Sequence, residues 1–436
     1  MAGPYSLLRD GVQKAVVAAF GAEHEKVEPA VHRSQFADYQ ADVALRLAKP
    51  LKQKPLEIAR AIAEKLELGG VCEVSVSPPG FVNFNFSASY LEGELARIAA
   101  DERLGVSRAT TPERVLIDYS GPNVAKEMHV GHLRSTVIGD ALARTLEFMG
   151  HDTLLMNHIG DWGTPFGMLI EHLQDVGTDA ATEELSVGSL STFYQAARKK
   201  FDDSFEFAER SRRRVVLLQA GDEQTLQAWR VLVEASRRYF TKIYQKLGVL
   251  LEDEHVRGES FYNPFLPEIA QDLERRGVAR VDQDALCVFP DGFVGRQGEP
   301  LPLIIRKNDG GYGYAATDLA AVRYRARELG ATRLLYVIAS EQQQHLAMVF
   351  AVAKMAGYLP EGTRAEHVGF GLVLGPDRKK LASREGKSVK LSSLIEEAAE
   401  RGAKAVREKN PDWSEDLVAE VGAQVGVAAI KYIDLS

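Results

Sequence analysis

Residues 114–160 constrain what this chain can fold into more than any other stretch. RVLIDYS (114–120) is a short apolar run, and GPNVAKEM (121–128) is rich in turn formers. HLRSTVIGDALARTLEFMG (132–150) carries apolar residues at helical spacing, and DTLLMNHIG (152–160) is a second apolar run. Strand, loop, helix and strand in that order make a βαβ unit, with the helix as the crossover between parallel strands. Sheets of this kind take ligands at the carboxyl ends of their strands, so a nucleotide is expected there.

Around this unit the chain divides into three parts. Residues 1–105 read as a small α/β unit: YSLLRDGVQKAVVAAF and PLEIARAIAEKLEL have helical spacing, and VCEVSVSPPGFVNFNF alternates like two strands broken at Pro78, Pro79 and Gly80. The polar segment DERLGVSRATTPERV is the boundary. Residues 106–375 read as the α/β domain, interrupted at about 174–248 by two long amphipathic helices parted by AGD. Strand-like runs return in ALCVFP, PLPLIIRK, RLLYVIAS and HVGFGLVLG, with helices such as TDLAAVRYRARELG between them, so the alternation resumes the α/β domain. Residues 376–436 read as a basic loop followed by helices.

The chemistry concentrates in DYSGPNVAKEMHVGHLRSTVIGD (118–140). His129 and His132 lie three apart where a helix begins, so both rings can share a side with the free backbone N–H groups of the first turn. A triphosphate there meets the positive end of the helix dipole, two imidazole donors and the ammonium of Lys126. Gly131, lacking a Cβ, lets a flat base approach the backbone. An isolated HxxH also reads as helix-face histidines bonded to neighbours, or as half a metal site without its third ligand.

The whole string PNVAKEMHVGHLRST resembles the signature of arginyl-tRNA synthetases, in which HVGH stands for the HIGH element of class I synthetases. The resemblance continues through IGDWGTPFG, YQAARKKF, LQAGD, GESFYNP, IRKNDGGYGYAATDLAA, YVIASEQQQH and REGKSVKLSSLIEEA, and covers essentially the whole chain. It implies a Rossmann-like catalytic domain with a parallel sheet and helical insertion. The N-terminal unit would be that family's additional domain, which touches the outer corner of tRNA.

The implied activity is that of an arginine–tRNA ligase, with arginine, ATP with Mg²⁺, and tRNA(Arg) as partners and activation dependent on tRNA. By resemblance, Asn123 holds the α-amino group of arginine, Asp118 lies beside that end, and Glu259 and Gln342 belong around the same substrate. The guanidinium end also has a physical argument. A planar cation with five donors needs carboxylates in a fork, which lysine cannot satisfy bidentately. Tyr314 and Asp318 in YGYAATD are one helical turn apart, so a ring can cover the cation while the carboxylate grips it. Asp318 is the expected specificity anchor, although an acid at a helix N-terminus also suits the dipole.

GPDRKKLASREGKSVK corresponds to the family's mobile lysine-rich loop, with LASREG in place of its usual motif and Glu385 at the second-lysine position. Lys126 is thought to supply the missing charge in such enzymes, with Arg384, Lys379, Lys380 and Lys387 adding more. His345 and His158 fall near strand ends; for His158 a core histidine bonded to backbone is the preferred reading. The RSRRR run (210–214) reads as a solvated helix face.

Composition sets the outer bounds. With 436 residues there is room for a large core and an appended unit. Against 53 basic residues stand 61 acidic ones, a net charge of −8, so RNA binding requires a local basic patch. Cys72 and Cys287 form neither a disulfide framework nor a metal pair, no signal pattern opens the chain, and no run reaches the roughly 18 apolar residues of a membrane span. A monomer in the cytoplasm is expected. The family continues past a stretch like AIKYIDLS into an anticodon-binding domain, so the expectations include a shortened enzyme, a paralogue activating arginine for another acceptor, and a non-catalytic arginine- or RNA-binding relic.

Overall fold

The alternation in VCEVSVSPPGFVNFNF does form a hairpin, and it anchors the first of two compact units, Met1–Thr110 and Thr111–Ser436. The structure is a computed structural model that describes residues 3–177, 190–295, 297–374 and 389–436. In the first unit, β1 (Val31–Arg33), β2 (Tyr39–Ala41), β3 (Cys72–Ser77) and β4 (Phe81–Phe86) make an antiparallel sheet in the order β1-β2-β4-β3. Helices Pro4–Phe20 and Pro55–Glu64 each begin on a proline, whose missing N–H costs nothing in a first turn. Their apolar stripes (Leu8, Val12 and Val16; Ile58 and Ile62) bury against Val82 and Phe84 of β4.

The second unit is built on the βαβ segment. β5 (Arg114–Asp118) and β6 (Asp152–Met156) pair in parallel, joined by the helix Val130–Phe148. Successive residues of β5 enter different cores: Val115 and Ile117 pack with the insertion helices, whereas Leu116 packs with Ile269, Leu319 and Val349. Burial on both faces explains why the strand is continuously apolar rather than alternating. The crossover helix lies so close to the strand end that a Cβ on Gly139 would come within 2.3 Å of the Tyr119 side chain.

Three elements differ from expectation. The first insertion helix is two, Leu190–Asp203 and Phe205–Ala220, because Ser204 stops one and caps the next by accepting the Phe207 N–H at 3.2 Å. With Glu223–Leu247 the described insertion holds three helices. ALCVFP and PLPLIIRK do not rejoin the parallel sheet. They supply β8 (Ala285–Val288) and β9 (Leu303–Arg306) of a separate antiparallel sheet, with β7 (Arg280–Asp282) ahead of them. The β7–β8 turn carries Gln283 and Asp284 at φ 45° and 61°, the left-handed pair of a tight hairpin, and such short connections allow only antiparallel pairing.

β10 (Arg333–Tyr336) and β11 (Arg364–His367) then complete the parallel sheet, ordered β11-β10-β5-β6. β11 precedes most of HVGFGLVLG: Gly369 and Gly371 weaken a ladder there, whereas Glu366 fastens RAEH to Arg333 at 2.8 Å. The register aligns Asp118 with Met156 and with Tyr336, and Tyr336 with His367, so four strand ends open at one level. Helices Leu391–Lys409 and Glu415–Leu435 follow. Among the described residues no helix is long and apolar enough to cross a membrane.

Candidate active site

The site begins with how HVGH folds. His129 is the N-cap of Val130–Phe148: its Nδ1 accepts the Gly131 N–H at 3.1 Å, and the Nδ1 of His132 accepts the His129 N–H at 3.1 Å. This is the reciprocal capping pattern that serine and glutamate usually make, built here from two imidazoles. The other first-turn donors are also used, Val130 N–H on the Val389 carbonyl at 3.3 Å and His132 N–H on the His129 carbonyl at 2.9 Å. The expectation of free backbone donors is therefore corrected: the cap consumes them, and the rings face the cleft instead. The missing side chain of Gly131 also makes room for the capping ring, since a Cβ there would sit 3.0 Å from Cε1 of His129.

A ring nitrogen that accepts an N–H carries no proton, so both imidazoles are neutral with the hydrogen on Nε2. Their centroids are 4.0 Å apart. Burial, reinforced by His129, pushes His132 down to about 3. Behind them, the residues of the HLRST string hold the helix to the strand end. Ser135 Oγ accepts the Ser120 N–H at 2.8 Å and donates to the Val337 carbonyl at 2.6 Å. Thr136 Oγ1 lies 3.0 Å from Ser120 Oγ, which lies 2.8 Å from the Tyr244 hydroxyl of an insertion helix.

These rings line a cleft of about 290 Å³ at the strand ends, together with Asp118, Gly131, His158, Asp318 and Phe370–Val373. Asp118, at the end of β5, is not open to solvent: its Oδ2 is 2.8 Å from Nη1 of Arg325, which is wholly buried. Burial opposes the Arg325 charge, and the Asp118 carboxylate together with the Tyr336 and Tyr262 hydroxyls outweighs it. Arg325 also lies 5.0 Å from the Tyr336 ring centroid and 3.3 Å from Nδ1 of His158. His158 thus bonds a side chain rather than backbone, stacks on Tyr262 at 5.4 Å, and is held below the usual histidine range by burial and by Arg325.

The remaining acids gather nearby. Asp318 Oδ2 lies 2.6 Å from Nε2 of His345, and that bond raises the imidazole's pKa. Asp161 accepts the Ser260 N–H at 2.8 Å and the Ser260 hydroxyl at 2.7 Å, tying the GDW turn to the GES turn. Burial pushes Glu259, the residue before Ser260, up to about 7, and the charges of Asp161 and Asp318 add to the effect. Carboxylates crowded in this way are stabilised by a cation among them.

The structure brings Asp118, His129, Gly131, His132 and Asp318 into the lining of one cleft. Asn123, Lys126, Glu259, Tyr314 and Gln342 stand outside that lining. The Asn123 side chain occupies the space a Cβ on Gly160 would take, and Lys126 Nζ lies 4.9 Å from the Tyr194 ring centroid. Tyr314 shares the helix Tyr314–Arg323 with Asp318 but is 77% exposed, and Gln342 is exposed beyond β10. Arg384 and Lys387, with Lys379, Lys380 and Glu385, lie outside the described residues. Two arginines escaped the sequence reading, Arg325 and Arg134. A signal for Arg325 exists: it follows Asp318 by seven residues, two helical turns, and so shares its face. In the RSRRR run, Arg214 is not solvated but bonds Glu171 at 2.6 Å.

A parallel sheet with paired histidines capping the helix at its strand ends marks a nucleotide-handling class, and comparison with known proteins specifies it. The family model described as tRNA synthetases class I (R), catalytic domain, matches residues 94–436. That described as arginyl tRNA synthetase N terminal domain matches residues 6–86. The arginine–tRNA ligase of Thermobifida fusca is 50% identical over 437 residues, spanning 100% of this chain and 76% of that protein. That of Nostoc punctiforme is 49% identical over 98% of this chain and 75% of its own length. The crystal structure of the Plasmodium falciparum arginyl-tRNA synthetase superposes with a TM-score of 0.81 at 30% identity, covering 99% of this chain and 74% of that one. The Thermus thermophilus enzyme, at 22% identity and a TM-score of 0.76 over 98% of this chain and 74% of its own, shares the fold. The chain belongs to the arginyl-tRNA synthetase family.

Proposed function

We propose that this arginine–tRNA ligase activates arginine with ATP in the cleft between the capping histidines and the carboxylate cluster, and passes the arginyl group to tRNA(Arg). A carboxylate oxygen of arginine attacks the α-phosphorus of ATP in line, a P–O bond forms, and pyrophosphate leaves. The terminal ribose hydroxyl of the tRNA then attacks the arginyl carbonyl and AMP departs. The nucleophile is already ionised at neutral pH, so the first step needs no base; the work is positioning and stabilising charge on the phosphates.

The Nε2–H groups of His129 and His132 make that stabilisation, as neutral donors already in place. Lys126 leaves the Tyr194 ring to meet the phosphates, with Arg384 and Lys387 as further cations, and the adenine lies against Gly131. Mg²⁺ enters with the triphosphate as part of the substrate, as suits an ion that keeps its waters and binds mainly phosphate oxygens. Asp318 and Glu259 grip the guanidinium, Tyr314 covers it, Asn123 and Asp118 hold the amino end, and Gln342 borders the same substrate. The N-terminal unit, residues 1–105, contacts the outer corner of tRNA, while residues 106–375 carry the reaction and 376–436 the signature loop and helical stem. The enzyme works as a monomer in the cytoplasm.

The observation that carries this reading is the pair of imidazoles 4.0 Å apart that line one cleft with Asp318. Arginine-dependent ATP–pyrophosphate exchange, run with and without tRNA, tests it. Exchange that requires arginine is expected, and no exchange under either condition overturns the assignment.

A further inference from the structure

Arg134, the fifth residue of the helix capped by His129, makes three contacts that the activation chemistry above does not use. Its Nε donates to Oδ1 of Asp434 at 2.8 Å, on the helix Glu415–Leu435. Its Nη1 donates to the Gly371 carbonyl at 2.7 Å, and its guanidinium carbon lies 5.8 Å from the Phe370 ring centroid. Arg134, Phe370 and Gly371 all stand in the cleft wall. The ion pair is well shielded, the side chains retaining 24% and 11% of their exposure. A guanidinium donates in a fixed plane, so anchoring one edge on Asp434 aims the other edge at Gly371.

Among the described residues, the stretch it holds has few other restraints. Phe370–Val373, past the end of β11, has among the described residues one isolated bridge, Ala339 to Phe370, with the Ser340 N–H on the Phe370 carbonyl at 3.0 Å. Both contacts are at Phe370. At Gly371 the backbone has no side chain of its own to wedge it, and the Arg134 fork supplies the restraint. Asp434 therefore reaches the cleft through one side chain, from an element that contributes no lining residue.

We propose that Arg134 and Asp434 are positioning residues for adenylate formation: the pair fixes the Gly371 carbonyl, and with it the Phe370–Val373 part of the cleft lining, relative to the capping histidines. The helix Glu415–Leu435 thereby sets the geometry in which the α-phosphorus meets the arginine carboxylate. This inference rests on the proposed activation chemistry. A misplacement on the order of 1 Å in such a site costs up to about a hundredfold in rate.

The test measures kcat and KM in arginine-dependent ATP–pyrophosphate exchange, with tRNA present, for Asp434→Asn, Arg134→Lys and the double variant. Wild-type exchange must first occur, and its absence sinks the activation reading itself. Given that exchange, Asp434→Asn and Arg134→Lys should each lower kcat about tenfold or more while the arginine KM stays within about twofold, because neither touches the carboxylate cluster. The double variant should be no worse than Arg134→Lys, the non-additivity of residues acting through one contact. Lys431→Ala is the control: its ammonium fastens the same helix to the Gly248 carbonyl at 3.3 Å without touching Arg134, and kcat should hold. An additive double variant, an unchanged kcat in Asp434→Asn, or an equal loss in Lys431→Ala would each overturn the proposal.

Discussion

The two ends of the cleft are built on opposite plans. At the imidazole end, His129 and His132 settle their Nδ1 atoms on backbone N–H groups of their own helix, and that bonding fixes which nitrogen carries the outward hydrogen. At the acidic end, burial and the charges of Asp161 and Asp318 push Glu259, just outside the cleft lining, up to about 7 before a ligand enters. The first end is organised in advance and loses nothing when charge develops on a phosphate. The second holds repulsion that only a cation relieves, which turns a binding site into a selective one.

The sharpest way to break this contrast is to remove charge from the acidic end. Asp318→Asn keeps the shape and deletes the carboxylate facing the substrate cation. Losing one partner of a shielded charge pair costs about 2–5 kcal/mol, so the arginine KM should rise by roughly 30-fold to several thousandfold. The ATP KM should stay near its original value, because the imidazole end is untouched. A comparable rise in both constants would show that the two ends are one coupled site.

The imidazole end should answer with rate rather than affinity. His132→Ala removes one positioned donor, and losses from single donors of this type are about a hundred- to a thousandfold in kcat. The sequence pattern alone makes this variant a stability-neutral probe. The structure adds a cost, since the Nδ1 of His132 caps the His129 N–H, and losing such a cap costs about 1 kcal/mol. A lower Tm beside an undiminished exchange rate would reduce His132 to a capping residue.

This contrast also explains what the sequence made visible. HVGH is legible because its chemistry is local: two residues three apart at a helix start determine both the cap and the donors. The outer pair of strands in the βαβ unit is legible for the same reason, as a short-range alternation of apolar runs. The acidic end is assembled from distant segments. Asp118 meets Arg325 and Asp318 meets His345 from separate elements of the chain, and periodicity says nothing of which side chains face each other over that separation. Resemblance supplied Glu259 and Asp318 by position but not the buried arginine beneath them. Even the local reading erred where a polar group had two uses: the first-turn N–H groups that suit an anion also suit a histidine acceptor, and the histidine was nearer.

The smallest expected effect is a dependence on pH confined to the acidic end. Glu259 keeps its proton up to about 7 in the folded chain, whereas an unfolded glutamate releases it well below that. The folded state therefore binds more protons in between, so this group's contribution to stability is complete in acid and is lost as pH rises to about 7. Arginine binding runs the other way, because the guanidinium needs the carboxylate. Below about pH 7 the ligand must displace the proton, and the arginine KM should rise by up to about tenfold per pH unit. Glu259→Gln should level that slope while its arginine affinity stays poor in alkali, and the Tm of the unliganded protein should decline less between mildly acidic and neutral pH. His132, already neutral across this range, should add no slope of its own to the ATP KM. An arginine KM as steep in Glu259→Gln as in the parent would move the titration to another group and leave the repulsion at the acidic end without a measurable consequence.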